Sequence, residues 1–167
     1  MQIRYAGTII TEEDELNSFA AQGLGSDTNI DSIHIHNGAD DGVEFYGGTV
    51  NAKNVLVTGI DDDAIDWTLG WNGKLQNVVV LMTNSGDNCI EADNLGSNPT
   101  ATPRAIPEVT NFTCIGDADG VKSSGHALEL KAGTGGHMTN FVIGGTWPQG
   151  GEGCIRIAGD ETFDQST

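Results

Sequence analysis

The sequence predicts an all-β chain that folds as one parallel β-helix, a β-solenoid of about five to six turns. The main observation is a repeated phrase: a polar residue, a short apolar alternation, a break rich in Gly and Asp, and a second apolar alternation around a charged residue. The five copies occupy residues 30–51, 52–74, 75–108, 109–137 and 138 to the C-terminal tail. Glycine is abundant at 24 residues without a three-residue period, so it marks turns rather than collagen.

The N-terminal segment is the one region where a helix is considered. Residues 11–22 begin with Thr11 as a possible N-cap and continue with Glu12, Glu13 and Asp14, acids that favour the positive end of a helix. An acidic loop over the first turn is an equal alternative. Elsewhere the pattern predicts strands and turns only.

The first strand of each copy is a triplet whose first and third residues point inward, because side chains alternate along a strand. These triplets are residues 33–35, 55–57, 78–80, 112–114 and 141–143. The position directly before the triplet holds Ser32, Asn54, Asn77, Asn111 and Asn140. An Asn at a recurring bend can hydrogen-bond the same bend of the next turn, so we expect a side-chain ladder.

The second strand of each copy has a charged residue at its middle, outward position. In chain order this column contains Glu44, Asp66, Glu91, Glu129 and Arg156. Turns of a parallel sheet stack about 4.8 Å apart, so neighbouring carboxylates repel by roughly 3.5 kcal/mol at an effective dielectric constant of about 20. A file of this kind needs cations or raised pKa values. Arg156 and Lys131 are expected to neutralise its C-terminal end.

A second polar file is expected at the turn before this strand. It contains Asp40 and Asp41, then Asp61, Asp62 and Asp63, then Asp87 and Asn88, and finally Gly125 and His126. The i and i+3 pairs Asp41–Glu44 and Asp63–Asp66 can converge on one cation with Glu91. Oxygen ligands suit Ca²⁺ first or Mg²⁺, whereas inclusion of His126 shifts the preference to Mn²⁺ or Zn²⁺. Asp40, Asp61 and Asp87 are interpreted as turn-forming residues that make Asx hydrogen bonds.

The stacked strands and the Asn ladder resemble the right-handed parallel β-helix of the pectin-lyase-like superfamily, from about Phe19 onward. Segments 38–50 and 59–77 also look like exported bacterial β-helix proteins. The order Asp40-Asp41-Gly42, Asp62-Asp63, Gly125-His126 and Arg156-Ile157 resembles polygalacturonase-type glycoside hydrolases. In that family a lysine follows the Arg-Ile pair, and here Ala158 takes its place. The resemblance implies paired carboxylates as acid and base, with His126 and Arg156 holding the sugar.

From these features we expect a metal-assisted, carbohydrate-active hydrolase. The expected catalytic residues are Asp63, Asp66, Glu91, His126 and Glu129. The expected metal ligands are Asp41, Glu44, Asp63, Asp66 and Glu91. The expected substrate-binding residues are Trp71, Arg156 and Lys131. Two alternatives stay open: a metal-dependent phosphoester hydrolase on the same face, and a non-catalytic exported adhesin or structural β-helix that binds Ca²⁺ for stability.

Other side chains have competing interpretations. Trp71 and Trp147 lie in loops, where an exposed indole can stack on a sugar or cap the core, whereas Trp67 takes an inward position. His34 and His36 share one outward face and are interpreted as packed, hydrogen-bonded residues rather than metal ligands. Leu56, Val79 and Leu81 are apolar on that face. This face, or the uncapped ends of the solenoid, is a possible homodimer contact.

Composition excludes several classes of partner. The chain has 24 Asp and Glu against 7 Lys and Arg, a net charge of −17, which argues against nucleic acids and anionic membrane surfaces. A glycan or other small substrate is expected instead. The same charge also fits a secreted or salt-adapted protein whose carboxylates serve solubility. No apolar run approaches the roughly 18 residues of a membrane span.

One domain over residues 1–167 is expected, because this length supports one continuous core. The repeat begins without a signal peptide and ends without an obvious cap, so we expect a fragment, a trimmed exported chain or an assembly, with the parent protein outside the cell or at its surface. Cys89, Cys114 and Cys154 share no CxxC spacing and are odd in number. They predict neither a disulfide framework nor a zinc finger, and leave at least one thiol free or paired between chains.

Overall fold

Each copy of the repeat supplies one strand to each of two parallel sheets, as the computed structural model shows. The structure describes residues 1–11, 14–83, 86–117, 121–122, 124–147 and 154–164. In chain order the elements are β1 (Gln2–Arg4), β2 (Ile9–Thr11), β3 (Asp14–Glu15), β4 (Phe19–Gln22), β5 (Asn29–His36), β6 (Val43–Tyr46), β7 (Asn51–Thr58), β8 (Ile65–Thr68), β9 (Lys74–Leu81), β10 (Ile90–Ala92), β11 (Glu108–Gly116), β12 (Leu128–Leu130), β13 (His137–Gly145), β14 (Ile155–Ile157) and α1 (Asp160–Asp164).

Both large sheets extend along the solenoid from turn to turn, and each contains six strands. The first sheet has the order β1-β5-β7-β9-β11-β13, and the second has the order β4-β6-β8-β10-β12-β14. All pairings within them are parallel and join equivalent positions of successive repeats. This arrangement confirms the predicted all-β, right-handed parallel β-helix of about five turns.

The core fills the space between the sheets with the inward residues that the alternation predicted. In β7 and β9, for example, Val55, Val57, Val78 and Val80 are all buried. Because equivalent inward residues stack on one another, the apolar columns run without interruption from turn to turn. At the C-terminal end Phe141 stacks on Phe112 with ring centroids 5.0 Å apart.

The predicted side-chain ladder is present and lies on the outside of the first sheet. Asn140 donates to Asn111 at 2.7 Å, Asn111 to Asn77 at 2.9 Å, and Asn77 to Asn54 at 3.0 Å. Asn54 then donates to Asp31 at 2.8 Å. All four Asn residues have φ near +57°, a left-handed conformation that Asn tolerates better than most residues.

The helix considered for residues 11–22 is not found in the described residues, so that prediction is wrong. β2 pairs antiparallel with β3 instead, and β4 joins the edge of the second sheet beside β6. Glu12 and Glu13, two of its predicted first-turn acids, lie outside the described residues. The helix that is described, α1, spans five residues, and none in the described part of the chain is long and apolar enough to cross a membrane.

The cysteines differ from the prediction in one respect. Cys89 and Cys114 form a disulfide with a Cα–Cα distance of 6.1 Å, buried in the core, although the spacing predicted no such framework. Both residues occupy inward positions, and they meet because one precedes β10 of the second sheet while the other lies in β11 of the first. Cys154 is free and exposed, as an odd number of cysteines requires of at least one thiol.

Candidate functional site

The predicted charged column runs straight along the outside of the second sheet. Glu44 pairs with Asp66, Asp66 with Glu91, Glu91 with Glu129, and Glu129 with Arg156 in successive parallel ladders. Ala20 of β4 occupies the same column on the other side of Glu44. The column therefore has an acidic N-terminal part and a basic C-terminal end.

These carboxylates are recessed rather than exposed. Glu44 is 6% exposed and Glu129 is 7% exposed, and Asp66 and Glu91 are half-buried. Neighbouring side chains cover them: Asn17 Nδ2 donates to Glu44 Oε2, and the Arg156 guanidinium pairs with Glu129. Alternation places the column outside the core but cannot show how far the flanking segments overhang it.

The second polar file forms a continuous buried ladder next to this column. Asp63 N donates to Asp41 Oδ1 at 3.1 Å, Asn88 N to Asp63 Oδ1 at 2.7 Å, and His126 N to Asn88 Oδ1 at 2.8 Å. Each bond joins the side chain of one turn to the backbone of the next. Asp41 and Asp63 therefore stabilise the stack through one oxygen, and their second oxygen takes no part in this ladder.

Three carboxylates from the two files converge at the N-terminal part of the face. One oxygen each of Asp41, Glu44 and Asp66 lies within 4.8 Å of the other two. Asp66 Oδ1 is buried and has no hydrogen-bond partner among the described residues. Buried polar atoms without partners are uncommon, so this oxygen has capacity to accept a proton donor or a cation.

A second group of three acids has a different character. Asp40, Asp41 and Asp62 also approach one another within 4.8 Å, but Lys122 Nζ lies 2.6 Å from Asp62 Oδ1 and neutralises it. Asp63 and Glu91, two of the predicted metal ligands, belong to neither group in the described part of the chain. Of the five predicted metal ligands, Asp41, Glu44 and Asp66 are the three whose carboxylate oxygens the described structure brings within 4.8 Å of one another.

The carboxylates of the face are strongly coupled to one another. Burial, with the charges of Asp63, Asp40 and Glu44 added, raises the pKa of Asp41 to about 9. Burial also raises the pKa of Asp66 well above its usual range, and the neighbouring charge of Asp41 adds to the rise. Burial and the charge of Glu91 do the same to the pKa of Asp63. At Asp41, Asp63 and Asp66 the surroundings thus favour the neutral carboxyl over the carboxylate unless a cation compensates the charge.

The two basic residues that were predicted to neutralise the C-terminal end of the charged column, Lys131 and Arg156, pair with its carboxylates. Lys131 Nζ lies 2.8 Å from Glu91 Oε1, and Arg156 pairs with Glu129. Burial raises the pKa of Glu91, and the Lys131 ammonium opposes that rise. Glu91 and Glu129 therefore each have a basic partner, whereas no basic side chain pairs with Asp41, Glu44 or Asp66 in the described part of the chain.

The comparison with known families agrees with the fold. A model described as a pectate-lyase like beta helix domain matches residues 1–166. The chain belongs to this family. Searches of curated proteins and of solved structures gave no match. The family places the chain among β-helices of a carbohydrate-active type, and the recessed acidic face lies on the second sheet of this pectate-lyase-like domain.

Trp71 is not a sugar platform in this β-helix domain, so its predicted role in substrate binding is wrong. The residue is 0% exposed, stacks on Phe45 with ring centroids 4.1 Å apart, and donates from Nε1 to Val50 O at 3.2 Å. The loop that carries it turns inward, because the large indole completes the core between stacked turns. Trp147 is partly buried and packs against the core.

Sequence reasoning missed two polar residues of the site, Asn17 and Tyr46. Asn17 Nδ2 donates to Glu44 Oε2 and, at 3.1 Å, to the Tyr46 hydroxyl. Burial raises the pKa of Tyr46, and its hydrogen bond to Glu44 adds to the rise. Asn17 occupies the Asp41 column one turn earlier, which follows from the β4–β6 register. This position was missed because residues 11–22 were considered as a helix, to which the register of the strands does not apply.

Proposed function

We propose that this pectate-lyase-like domain is a metal-assisted hydrolase that acts on a glycan at the recessed acidic face. The observation that carries the proposal is the convergence of Asp41, Glu44 and Asp66 with one Asp66 oxygen buried and unpartnered among the described residues. The family description supports a carbohydrate substrate. Stacked turns about 4.8 Å apart make the face long enough for several sugar units.

The three convergent carboxylates fit a hard divalent cation. Their oxygens suit Ca²⁺ first and Mg²⁺ second, and Mn²⁺ or Zn²⁺ would require a nitrogen ligand such as His126. When bound, the ion would supply Lewis-acid activation of a water or of a substrate oxygen. Asp41 and Asp66 would hold it with Glu44, which Asn17 orients through its hydrogen bond. The cation would also offset the burial and the neighbouring negative charges that together raise the pKa of Asp66.

The remaining acids of the face would handle protons. Asp63 has a raised pKa caused by burial and by the charge of Glu91, which suits a general acid that keeps its proton near neutral pH. Glu91 and Glu129 are assigned to base and substrate contacts, with Lys131 and Arg156 holding them in place. His126, next along the ladder from Asn88, is assigned to sugar binding.

Two alternative chemistries have weaker support. A β-elimination would need an unengaged base, and Lys131 and Arg156 are both paired with carboxylates. A phosphoester would bring more negative charge to an acidic face whose nearest cations are paired in the same way. The non-catalytic alternative has a specific observation in its favour, since Asp41 and Asp63 already stabilise the stack through the ladder.

The proposal also includes an extracellular or cell-surface location and self-association of the chain. The buried Cys89–Cys114 disulfide supports an oxidising, extracellular or cell-surface environment for one domain over residues 1–167. Self-association is proposed through the face of Leu56, Val79 and Leu81, where Val79 is 40% exposed, or through the last turn, where Ile155 is 52% exposed. Sedimentation of Val79→Lys and Ile155→Lys separates these surfaces, and a monomeric parent chain at every concentration rejects both.

Turnover with and without chelator tests the function. The full chain is assayed on neutral glycans, uronate-containing glycans and phosphoesters, after chelation and after calcium is restored. We expect glycan hydrolysis that disappears with chelator and returns with calcium. Calcium-dependent thermal stability without turnover on any panel would instead establish the structural alternative, and turnover on phosphoesters alone would overturn the glycan assignment.

A further inference from the structure

A second cluster of chemically active side chains lies away from the acidic face, at the N-terminal end of the first sheet. β1 pairs with β5 so that Gln2 lies opposite His34 and Arg4 lies opposite His36. Tyr5 follows directly, with its ring centroid 6.0 Å from that of His36. The cluster is on the outer surface of the first sheet, whereas the proposed hydrolytic face belongs to the second.

Arg4 differs from every other basic residue of the chain in its contacts. All seven Lys and Arg are within the described residues, and six of them meet acids or backbone carbonyls: Lys53, Lys74, Arg104, Lys122, Lys131 and Arg156. Arg4 contacts the Tyr5 ring at 5.3 Å, and no carboxylate is found against it in the described part of the chain. In a protein with 24 acids, its charge remains open to an external anion.

Tyr5 occupies a bend that does not suit a tyrosine. Its φ is +53°, and the equivalent bends of the next two turns hold Asn37 and Gly59, which adopt this left-handed conformation with less strain. The equivalence follows from their backbone bonds, in which each N–H donates to the last residue of the adjacent strand. Tyr5 is 69% exposed, so packing does not repay the strain. Tyr5 therefore presents an exposed aromatic ring, beside Arg4 and His36, at a strained bend.

Both histidines contact one hydroxyl. Thr58 Oγ1 lies 3.3 Å from His34 Nε2 and 2.8 Å from His36 Nδ1. His34 Nδ1 then accepts from Gln2 Nε2 at 3.0 Å. His36 Nδ1 is therefore engaged with Thr58, and its ring lies beside Tyr5 and opposite Arg4.

We propose that Arg4, Tyr5 and His36 form a binding site for an anionic sugar residue. The Arg4 guanidinium would bind a carboxylate or sulfate through paired hydrogen bonds, the pyranose would stack on Tyr5, and a sugar hydroxyl would form a hydrogen bond with His36 Nε2. A singly charged sugar is favoured over a nucleotide or polyphosphate, because the net charge of −17 repels multiply charged anions. This site does not rest on the hydrolytic activity of the acidic face.

Titration of the full chain, followed by amide and imidazole NMR signals in the presence of chelator, tests the site. The probes are glucuronate and glucose 6-sulfate, with glucose as the uncharged control. We expect an anionic probe to shift signals of Arg4, Tyr5 and His36, and to bind about tenfold more weakly to Arg4→Gln. Tyr5→Asn should also lose binding and stay folded, because Asn suits the bend. The stronger of the two anionic probes identifies the charged group.

Two control variants make the result specific. Lys74→Gln removes an exposed, ion-paired lysine elsewhere and should bind the probe as the parent chain does. Asp66→Asn changes the acidic face and should also leave binding unchanged, which separates this inference from the proposed function. AMP serves as the multiply charged comparison ligand. The proposal is overturned if neither anionic probe binds, if glucose or AMP binds as well as they do, or if Arg4→Gln and Tyr5→Asn both bind normally.

Discussion

At the level of single residues, Asp66 is the side chain on which the cation site depends. Asp66→Asn removes one of three convergent carboxylates and should reduce calcium-dependent turnover by about 100-fold or more. The stability of the chelated protein should not fall, because the change removes a buried acid that Asp41 and Glu44 repel. Initial rates and thermal melts measure the two effects. Asp27→Asn, at an exposed loop position, is the matched control, and a fully active Asp66→Asn enzyme would reject the assignment.

The raised pKa of Asp41 predicts how the stability of the folded protein depends on pH. In the folded chain without a cation this pKa is about 9, whereas the ordinary value of an Asp is 3.8. At any pH between these two values, the folded state therefore binds more protons than the unfolded state. The stability of the chelated protein should therefore fall as pH rises from about 6 to 8.5. Calcium should raise the melting temperature more at the upper end of this range.

Asp41→Asn serves as the control for this pH dependence, because the amide cannot titrate. Thermal melts of parent and variant, each with chelator, should give a shallower slope for the variant. A chelated parent protein that becomes more stable from pH 6 to 8.5 would contradict the raised pKa of Asp41.

The sequence predicted the position of individual site residues better than their environment. Strand alternation was sufficient to align Glu44, Asp66 and Glu91, since a column depends only on register. It was not sufficient to show that Asp41 and Asp63 also bond the next turn, or that Asn17 covers Glu44. Those contacts depend on how loops overhang the sheet, and loops do not follow the period of the strands.

At the level of elements, the Asn ladder contributes stability that a single substitution can measure. Asn77 lies between Asn54 and Asn111, and its φ is +57°. Asn77→Ala loses both side-chain hydrogen bonds. It also puts alanine, which has no polar side chain to stabilise a positive φ, in the left-handed region, so we expect the free energy of unfolding to fall by about 2 kcal/mol. Asn77→Gly should lose less, since glycine adopts this φ freely. Urea unfolding provides the comparison, and an Ala variant as stable as the parent would contradict the ladder's role.

Elements with a strong repeat were predictable, and those outside it were not. Strands β5 to β12 follow the alternation of the copies, and their pairing is parallel and in register. Residues 11–22 have helix-favouring acids after Thr11, yet the described part forms β2, β3 and β4. β4 pairs with Val43 to Tyr46 of the next turn, so tertiary pairing at the edge of the second sheet overrides the local preference for a helix.

At the level of the whole molecule, the buried disulfide fastens the second sheet to the first. Cys89 and Cys114 are separated by 25 residues, and closing a loop of that size stabilises the fold by about 3.5 kcal/mol through the unfolded chain. Reduction, or the double substitution Cys89→Ala with Cys114→Ala, should therefore lower the melting temperature clearly. Cys154→Ser is the control and should melt as the parent does. If the melting temperature of the parent protein is the same with and without reductant, the disulfide contributes nothing to stability.

The central claim is that the acidic face binds a divalent cation through Asp41, Glu44 and Asp66. A crystal grown with millimolar calcium, measured at a wavelength where calcium scatters anomalously, tests it most directly. We predict one anomalous peak with carboxylate oxygens of these three residues about 2.3 to 2.6 Å away. A well-ordered crystal with no peak between Asp41, Glu44 and Asp66, or with calcium bound only elsewhere, would contradict the account.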